Sequence, residues 1–466
     1  MMTETHPERP LVNMGLVKAH LIASMVYFAA LLLAGLSFSL VLDRLNPFPG
    51  VELLSPGRLR MVHTNMAAYG FIVNAFLAGM IWSIPRLTKR PILSDKLGWV
   101  IFWTWQFIVT ATLVGILMGY AQAIEWGETP IFVDPLVVVG WVLVVINLIA
   151  PIIKTQERGL YVTSWYFLAG FIWTALTYVM GNYFPQFFTP GTAGAAITGL
   201  FIHDLVGLLV TPIGWGLMYY FVPLILKKPI WSHALSLIGF WGIAFFYPMQ
   251  GVHHFLLSPI PMYAQYSAIV ATIAIEITVT TVIINFFGTL FGRTEAVRTS
   301  MPIRWFYTGM LCYFTTCLQC AFQVTLTFQK IIHFTDWVVG HAHLVMFGVF
   351  GFWILGMIVY LWPRVVGQQE WHSARLLTWH YWLTLVGMAV MFVDLGAAGL
   401  VQGFSWKSLA PWADSINFSM PFWIARTITG LMIFLGQVLL FYNMWMTAKK
   451  PSFSQATETA LVTEPA

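Results

Sequence analysis

Six of the chain's 12 histidines, His63, His203, His253, His254, His341 and His343, stand near the ends of long apolar runs. An imidazole in such a run is costly without a partner, and neutral imidazole is the commonest metal ligand among side chains. Any one of them alone reads as a hydrogen-bonded core residue. Their spacings point elsewhere. His341 and His343 are two apart, a turn of about 200° on an α-helix, so their rings leave opposite sides and cannot share a metal. Each can hold the iron of a different flat macrocycle, with Gly340 and Ala342 small enough to admit both, because imidazole is a standard haem ligand. His63, expected at the same depth, can supply a second axial ligand to one of these haems. His253 and His254 are adjacent, which suits one metal only if the helix is distorted, and Pro248 and Gly251 supply a reason for distortion. With His203 added, three imidazoles suit copper or another late transition metal better than a hard cation.

Composition says what must carry these residues. Charged residues are 9% of the 466, against roughly 25% in soluble proteins, while 59% are hydrophobic and 16% aromatic. So few charges cannot coat a soluble globule of this size, and the mean hydropathy of +0.77 agrees. The composition specifies an integral membrane protein. It excludes a soluble enzyme, a disordered scaffold and a secreted disulfide domain, and the net charge of +5 is better explained by membrane topology than by nucleic acid.

Apolar stretches of about twenty residues predict twelve transmembrane helices. They fall near 18–42, 60–85, 96–120, 134–154, 161–182, 196–224, 232–257, 263–291, 303–328, 338–363, 376–402 and 420–446. The expected architecture is all-α: one twelve-helix bundle over 18–446, with no internal repeat or linker. Residues 1–17 read as a cytoplasmic segment without a cleavable signal, so the first span stays as an anchor. Residues 447–466 read as a disordered cytoplasmic tail. On this topology 17 of the 23 Lys and Arg residues lie on the N-terminal side and 6 on the other, which puts both termini in the cytoplasm. The six histidines then gather within about two helical turns of the outer surface.

Other residues get lesser roles. Arg58, Arg60 and Arg426 sit at the outer boundary, where guanidinium groups either snorkel to headgroups or pair with haem propionates. Cys312, Cys317 and Cys320 share one apolar run and read as small core residues, and no Cys-x-x-Cys-His occurs for a covalently attached haem. His6, His20, His233, His333, His372 and His380 read as loop or boundary residues without a metal role. Glu276 lies in the middle of the eighth helix, where a carboxylate costs about 2.5–3.5 kcal/mol and must face a cavity or a partner.

With these residues in view, the chain resembles the catalytic subunit of haem-copper oxidases, and among them the cbb3-type cytochrome c oxidases. The matching stretches are GRLRMVHTN at 57–65, FIHDLVG at 201–207, MYYFVP at 218–223, FFYPMQGVHH at 245–254 and HFTDWVVGHAH at 333–343. The resemblance implies that His63 and His343 ligate a low-spin haem b, His341 a high-spin b-type haem, and His203, His253 and His254 a copper ion facing it. It implies that Tyr247 takes part in cleaving dioxygen and becomes joined to His203, and that Tyr219 and Ser236 belong to an inward proton path ending at Tyr247. It further implies a calcium ion near the haem propionates, membrane-anchored cytochrome c subunits as electron donors, and a bacterial inner membrane. Two positions depart from the pattern: Gln319 stands where the family usually has glutamate, and Glu276 where it commonly has no acid. Glu276 is one residue out of register with a proton-relay glutamate of the related nitric oxide reductases. That reductase would have a glutamate at Gly207 and lack the tyrosine at 247. A transporter, the rival from another class, gives no reason for six histidines at one depth.

Overall fold

The computed structural model describes residues 9–450, and among these every regular element is helical. Among the described residues eleven helices are long and apolar enough to cross a membrane, and a pair bent sharply at a short break makes a twelfth if it counts as one span. In chain order they are α1 Met14–Leu42, α2 Pro56–Thr88, α3 Asp95–Met118, α4 Asp134–Ile153, α5 Val162–Phe187 and α6 Gly191–Leu226. They continue as α7 His233–Phe255, α8 Met262–Leu290, α9 Met301–Gln323, α10 Asp336–Val365, α11 Ala374–Lys407 and α12 Trp412–Lys449. The chain is a multi-pass membrane bundle, and side chains such as Trp103, Phe107 and Ile277 turn apolar surface outward where lipid belongs.

The ninth span differs from the continuous helix expected over 303–328. It stops at Gln323, and a short helix, Leu326–Ile332, turns away by 105°. Side chains close the break: Thr325 Oγ1 donates to the Phe322 carbonyl (2.8 Å) and Gln329 Nε2 to that of Gln323 (2.6 Å). They satisfy carbonyls that continued helix would otherwise pair. At the chain ends, α1 starts at Met14, where Asn13 Oδ1 caps Leu16 N at 3.0 Å. At the other end α12 runs to Lys449. The remainder of the expected tail, 451–466, lies outside the described residues, as does His6.

A repeat is present where none was expected. At the starts of α3, α7 and α11, Ser94, Ser232 and Ser373 each cap the helix by accepting from the N–H three residues on. The same three serines donate their own N–H to Asn147, Asn285 and Asn443, one near the end of the next helix in each case, at 2.9, 2.9 and 3.0 Å. One joint therefore recurs every four helices. It was illegible because it is carried by one serine and one asparagine per unit, among apolar residues free to vary.

α2 and α10 form the centre of the bundle, with 94% and 89% of their apolar cores buried against 28% for α1 and α12. Their histidines are followed within three residues by π-helical turns, Met66–Ile72 after His63 and Leu344–Gly351 after His343. A third, Leu205–Val210, follows His203 on α6. These wide turns re-aim the side chains around them and are common at functional sites.

Candidate metal centre

A cavity of about 510 Å³ opens among α1, α2, α10, α11 and α12, lined mainly by apolar side chains including Phe28, Leu31, Met346 and Ile433. His63 and His343 both line it, with ring centroids 5.8 Å apart. His63 Nδ1 lies 2.8 Å from the Leu31 carbonyl and His343 Nδ1 2.9 Å from that of Val339. A carbonyl only accepts, so each Nδ1 carries the proton and each Nε2 keeps its lone pair for a metal. Gly35 makes room for this on α1: a Cβ there would stand 2.6 Å from His63 Nδ1. Arg60 and Arg426 also line the cavity, and Arg426 lies over the Phe38 ring at 5.8 Å. Arg58 does not join them. It pairs with Glu52 at 2.9 Å and donates to the Leu117 carbonyl at 3.0 Å, which commits its guanidinium to the α1–α2 loop and the end of α3.

The second cluster forms where α7 loses its α-helical winding. After Phe246 the chain continues as 3₁₀ turns, Tyr247–Met249 and Gly251–Phe255, the distortion that Pro248 and Gly251 led us to expect. Gly251 packs directly on α6, where a Cβ would meet Leu200 Cα at 2.2 Å. This contact brings His253 and His254 to His203, and the ligand atoms of the three fall within 4.8 Å of one another. Thr272 Oγ1 donates to the Ala268 carbonyl (2.7 Å), so it accepts from His253 Nδ1 (2.7 Å), and His253 Nε2 is left with its lone pair. His203 Nε2 is buried with no hydrogen-bond partner. The Tyr247 ring lies 5.2 Å from that of His203, and Gly207 sits against both: a Cβ there would be 3.0 Å from Tyr247 Cγ and 3.5 Å from His203 Nε2.

His341 faces the other way from His343, toward α9, as the spacing required. Its Nδ1 is 2.9 Å from Gln319 Oε1, and its Nε2 is 3.7 Å from Cys320 Sγ. The three cysteines are free thiols.

Deeper in the bundle, Tyr219 and Ser236 meet around Tyr166. Its ring stacks on Tyr219 at 5.9 Å and its hydroxyl donates to the Ser236 carbonyl at 3.2 Å. Asn285 Nδ2 reaches the Tyr219 hydroxyl at 3.4 Å. Glu276 is half-buried on α8, and its Oε1 has no hydrogen-bond partner.

Several residues of this region escaped sequence reasoning: Gly35, Tyr166, Thr272 and Asn285, and Glu128 in the α3–α4 loop. Glu128 is buried, and its Oε2 accepts from Asn65 Nδ2 at 2.9 Å, two residues after His63. Burial pushes its carboxyl up to about 7, with the Asn65 hydrogen bond opposing. Nearby the Tyr69 hydroxyl donates to the Trp126 carbonyl, fixing the same loop to α2. Two other histidines correct the expectation of loop positions: His20 on α1 bonds Asn74 at 3.0 Å, and His380 lies inside α11, both fully buried. Apolar flanks alone did not distinguish boundary from core.

Known proteins resemble the chain over nearly its whole length. The chain is 28% identical over 457 residues to cytochrome c oxidase subunit 1 of Rhodobacter capsulatus, covering 94% of this chain and 86% of that one. It is 27% identical over 433 residues to the cbb3-type cytochrome c oxidase subunit CcoN1 of Stutzerimonas stutzeri, covering 89% and 91%. Its fold matches a cryo-EM structure of a haem-copper terminal oxidase dimer with a TM-score of 0.78 at 13% identity, over 97% of this chain and 86% of that chain. The family model described as Cytochrome C and Quinol oxidase polypeptide I matches residues 15–432, nearly the whole of the helical bundle. The chain belongs to that family of haem-copper oxidase subunits.

Proposed function

We propose that the chain is the catalytic subunit of a cbb3-type terminal oxidase that reduces dioxygen to water with electrons from cytochrome c. The observation that carries this reading is the gathering of His203, His253 and His254 within 4.8 Å, beside Tyr247. Three half-buried imidazoles, one with a buried and unpartnered Nε2, are a donor set for copper. The cavity between His63 and His343 suits a flat apolar macrocycle, since both Nδ1 atoms are taken by carbonyls and both Nε2 atoms are free to ligate. On this reading His63 and His343 hold a low-spin haem, His341 a high-spin haem, and the histidine triad the copper. Haem iron and copper supply the binding and multi-electron reduction of dioxygen. Arg60 and Arg426 neutralise the haem propionates at the cavity, where a calcium ion would share that task.

The protein's own part is positioning and proton supply. Tyr247, held 5.2 Å from His203, donates a hydrogen atom to the reaction. Protons reach it from the N-terminal face through the group around Ser236, Tyr166 and Tyr219. Glu276 serves as a further relay, because a mid-membrane carboxylate with a free oxygen is suited to passing protons. Glu276→Gln keeps shape and hydrogen bonding; turnover should fall at normal metal content, and unchanged turnover removes Glu276 from the route. The excess of Lys and Arg on the N-terminal side supports cytoplasmic termini in a bacterial inner membrane, with the metals toward the outer face. Separate membrane-anchored cytochrome c subunits deliver the electrons there.

Nitric oxide reduction is the rival chemistry. Against it, position 207 has no carboxylate, and the Tyr247 ring fills the space where one would stand. The deciding experiment measures copper and iron in the purified complex, its haem spectrum, and consumption of dioxygen and nitric oxide with reduced cytochrome c. Copper with dioxygen consumption is expected. A non-haem iron with nitric oxide turnover, or no haem bands at all, overturns the reading.

A further inference from the structure

We infer that Gln319 is the positioning residue for His341, holding it as the Nδ1–H tautomer and setting a higher iron reduction potential than a carboxylate at this place would. The inference rests on the reading above, in which His341 carries the high-spin haem. Gln319 is buried on the last turns of α9, and its Oε1 is 2.9 Å from His341 Nδ1. An amide oxygen accepts and does not donate, so the imidazole proton stays on Nδ1 and the Nε2 lone pair is the ligating one. Cys320 Sγ, 3.7 Å from Nε2, is too weak a partner to reverse that choice.

The distinguishing feature is the chemistry of this acceptor. The Nδ1 partners of His63 and His343 are main-chain carbonyls, which no substitution alters. At His341 the partner is a side chain, so the electron-donating power of the imidazole is set by residue 319. A carboxylate there would pull the Nδ1 proton harder and make the ring more anionic. That favours ferric over ferrous iron and lowers the potential. A neutral amide pulls less, and an apolar residue not at all. Potential and ligand-bond strength should therefore follow the order glutamate, glutamine, leucine, in opposite senses.

The test uses the intact complex with Gln319→Glu and Gln319→Leu, read by spectroelectrochemical titration and by the iron–imidazole stretch of the ferrous high-spin haem. The low-spin haem on His63 and His343 is the internal reference. Gln319→Leu should move the one-electron equilibrium toward ferrous iron and lower the stretching frequency. Gln319→Glu should move it toward ferric by about tenfold, roughly 59 mV, and raise the frequency. Packing damage would move both variants the same way. The inference is overturned if Leu leaves both readouts unmoved, or if the two variants shift alike; should the Leu variant fail to assemble, an unshifted Glu variant overturns it. A wild-type complex without histidine-ligated high-spin haem overturns the proposed function first, and is visible before any variant is made.

Discussion

The two histidine groups at this end of the bundle are held by different means. His63 and His343 are anchored through Nδ1 to the main-chain carbonyls of Leu31 and Val339. His253 and His341 are anchored by the side chains of Thr272 and Gln319. A carbonyl within a packed helix changes only if the helix moves, so the first pair forms a fixed slot. Side-chain anchors change with one codon, so the second group can be tuned without disturbing the fold. An outer shell of this kind usually sets metal affinity by 10–100-fold.

The largest effect should follow from breaking the tunable group outright. His254→Ala removes one of the three imidazoles proposed to hold copper, and both the non-haem metal and turnover should be lost; elemental analysis with oxygen-consumption assays checks this, and full activity refutes the site. Next, His343→Ala should abolish the low-spin haem spectrum and leave the high-spin signal, because on the proposed reading the fixed slot serves only one macrocycle. Loss of both spectra together would mean that the slots are not independent. Thr272→Val sharpens the contrast: it keeps the shape of the anchor and removes the oxygen that accepts from His253. Copper retention against a chelator should fall about 10–100-fold while both haem spectra stay intact.

The smallest effect concerns the loop clamped beside the fixed slot. Burial raises the Glu128 carboxyl from 4.5 to about 7, so folding favours its protonated form. That contribution is fully present below pH 4.5 and is lost as pH rises through about 7. At about 1.4 kcal/mol per pH unit it amounts to roughly 3 kcal/mol at most. Thermal melting in detergent from pH 5 to 8 should fall in the wild type, and Glu128→Gln should remove that part of the slope. An identical slope in the variant would show that Glu128 does not titrate in this range.

Much of the site was open to sequence reasoning because its rules are local. A two-residue spacing on a helix separates His341 from His343 by geometry alone, and the structure turns them toward α9 and toward the cavity. Pro248 and Gly251 announced the unwinding that lets adjacent His253 and His254 join one cluster. Where the reasoning failed, the cause lay in partners distant along the chain. Arg58 sits beside Arg60 in sequence, yet one turns to the Leu117 carbonyl, 59 residues on, and the other to the cavity. His20 and His380 have flanks as apolar as those of the candidate ligands, and only packing shows them buried in the core.

The chain by itself determined the membrane class, the helical spans and where six of its histidines stand along them, because hydropathy and helical periodicity are properties of short segments. Tertiary structure decided what holds those histidines. The Leu31 carbonyl meets His63 across 32 positions, Thr272 meets His253 across 19 and Gln319 meets His341 across 22. It also set the Ser–Asn joint that recurs along the bundle, each pair 53 to 70 residues apart. Hydrogen bonds are satisfied by whatever group the fold brings within about 3 Å, and no local pattern encodes which one that will be.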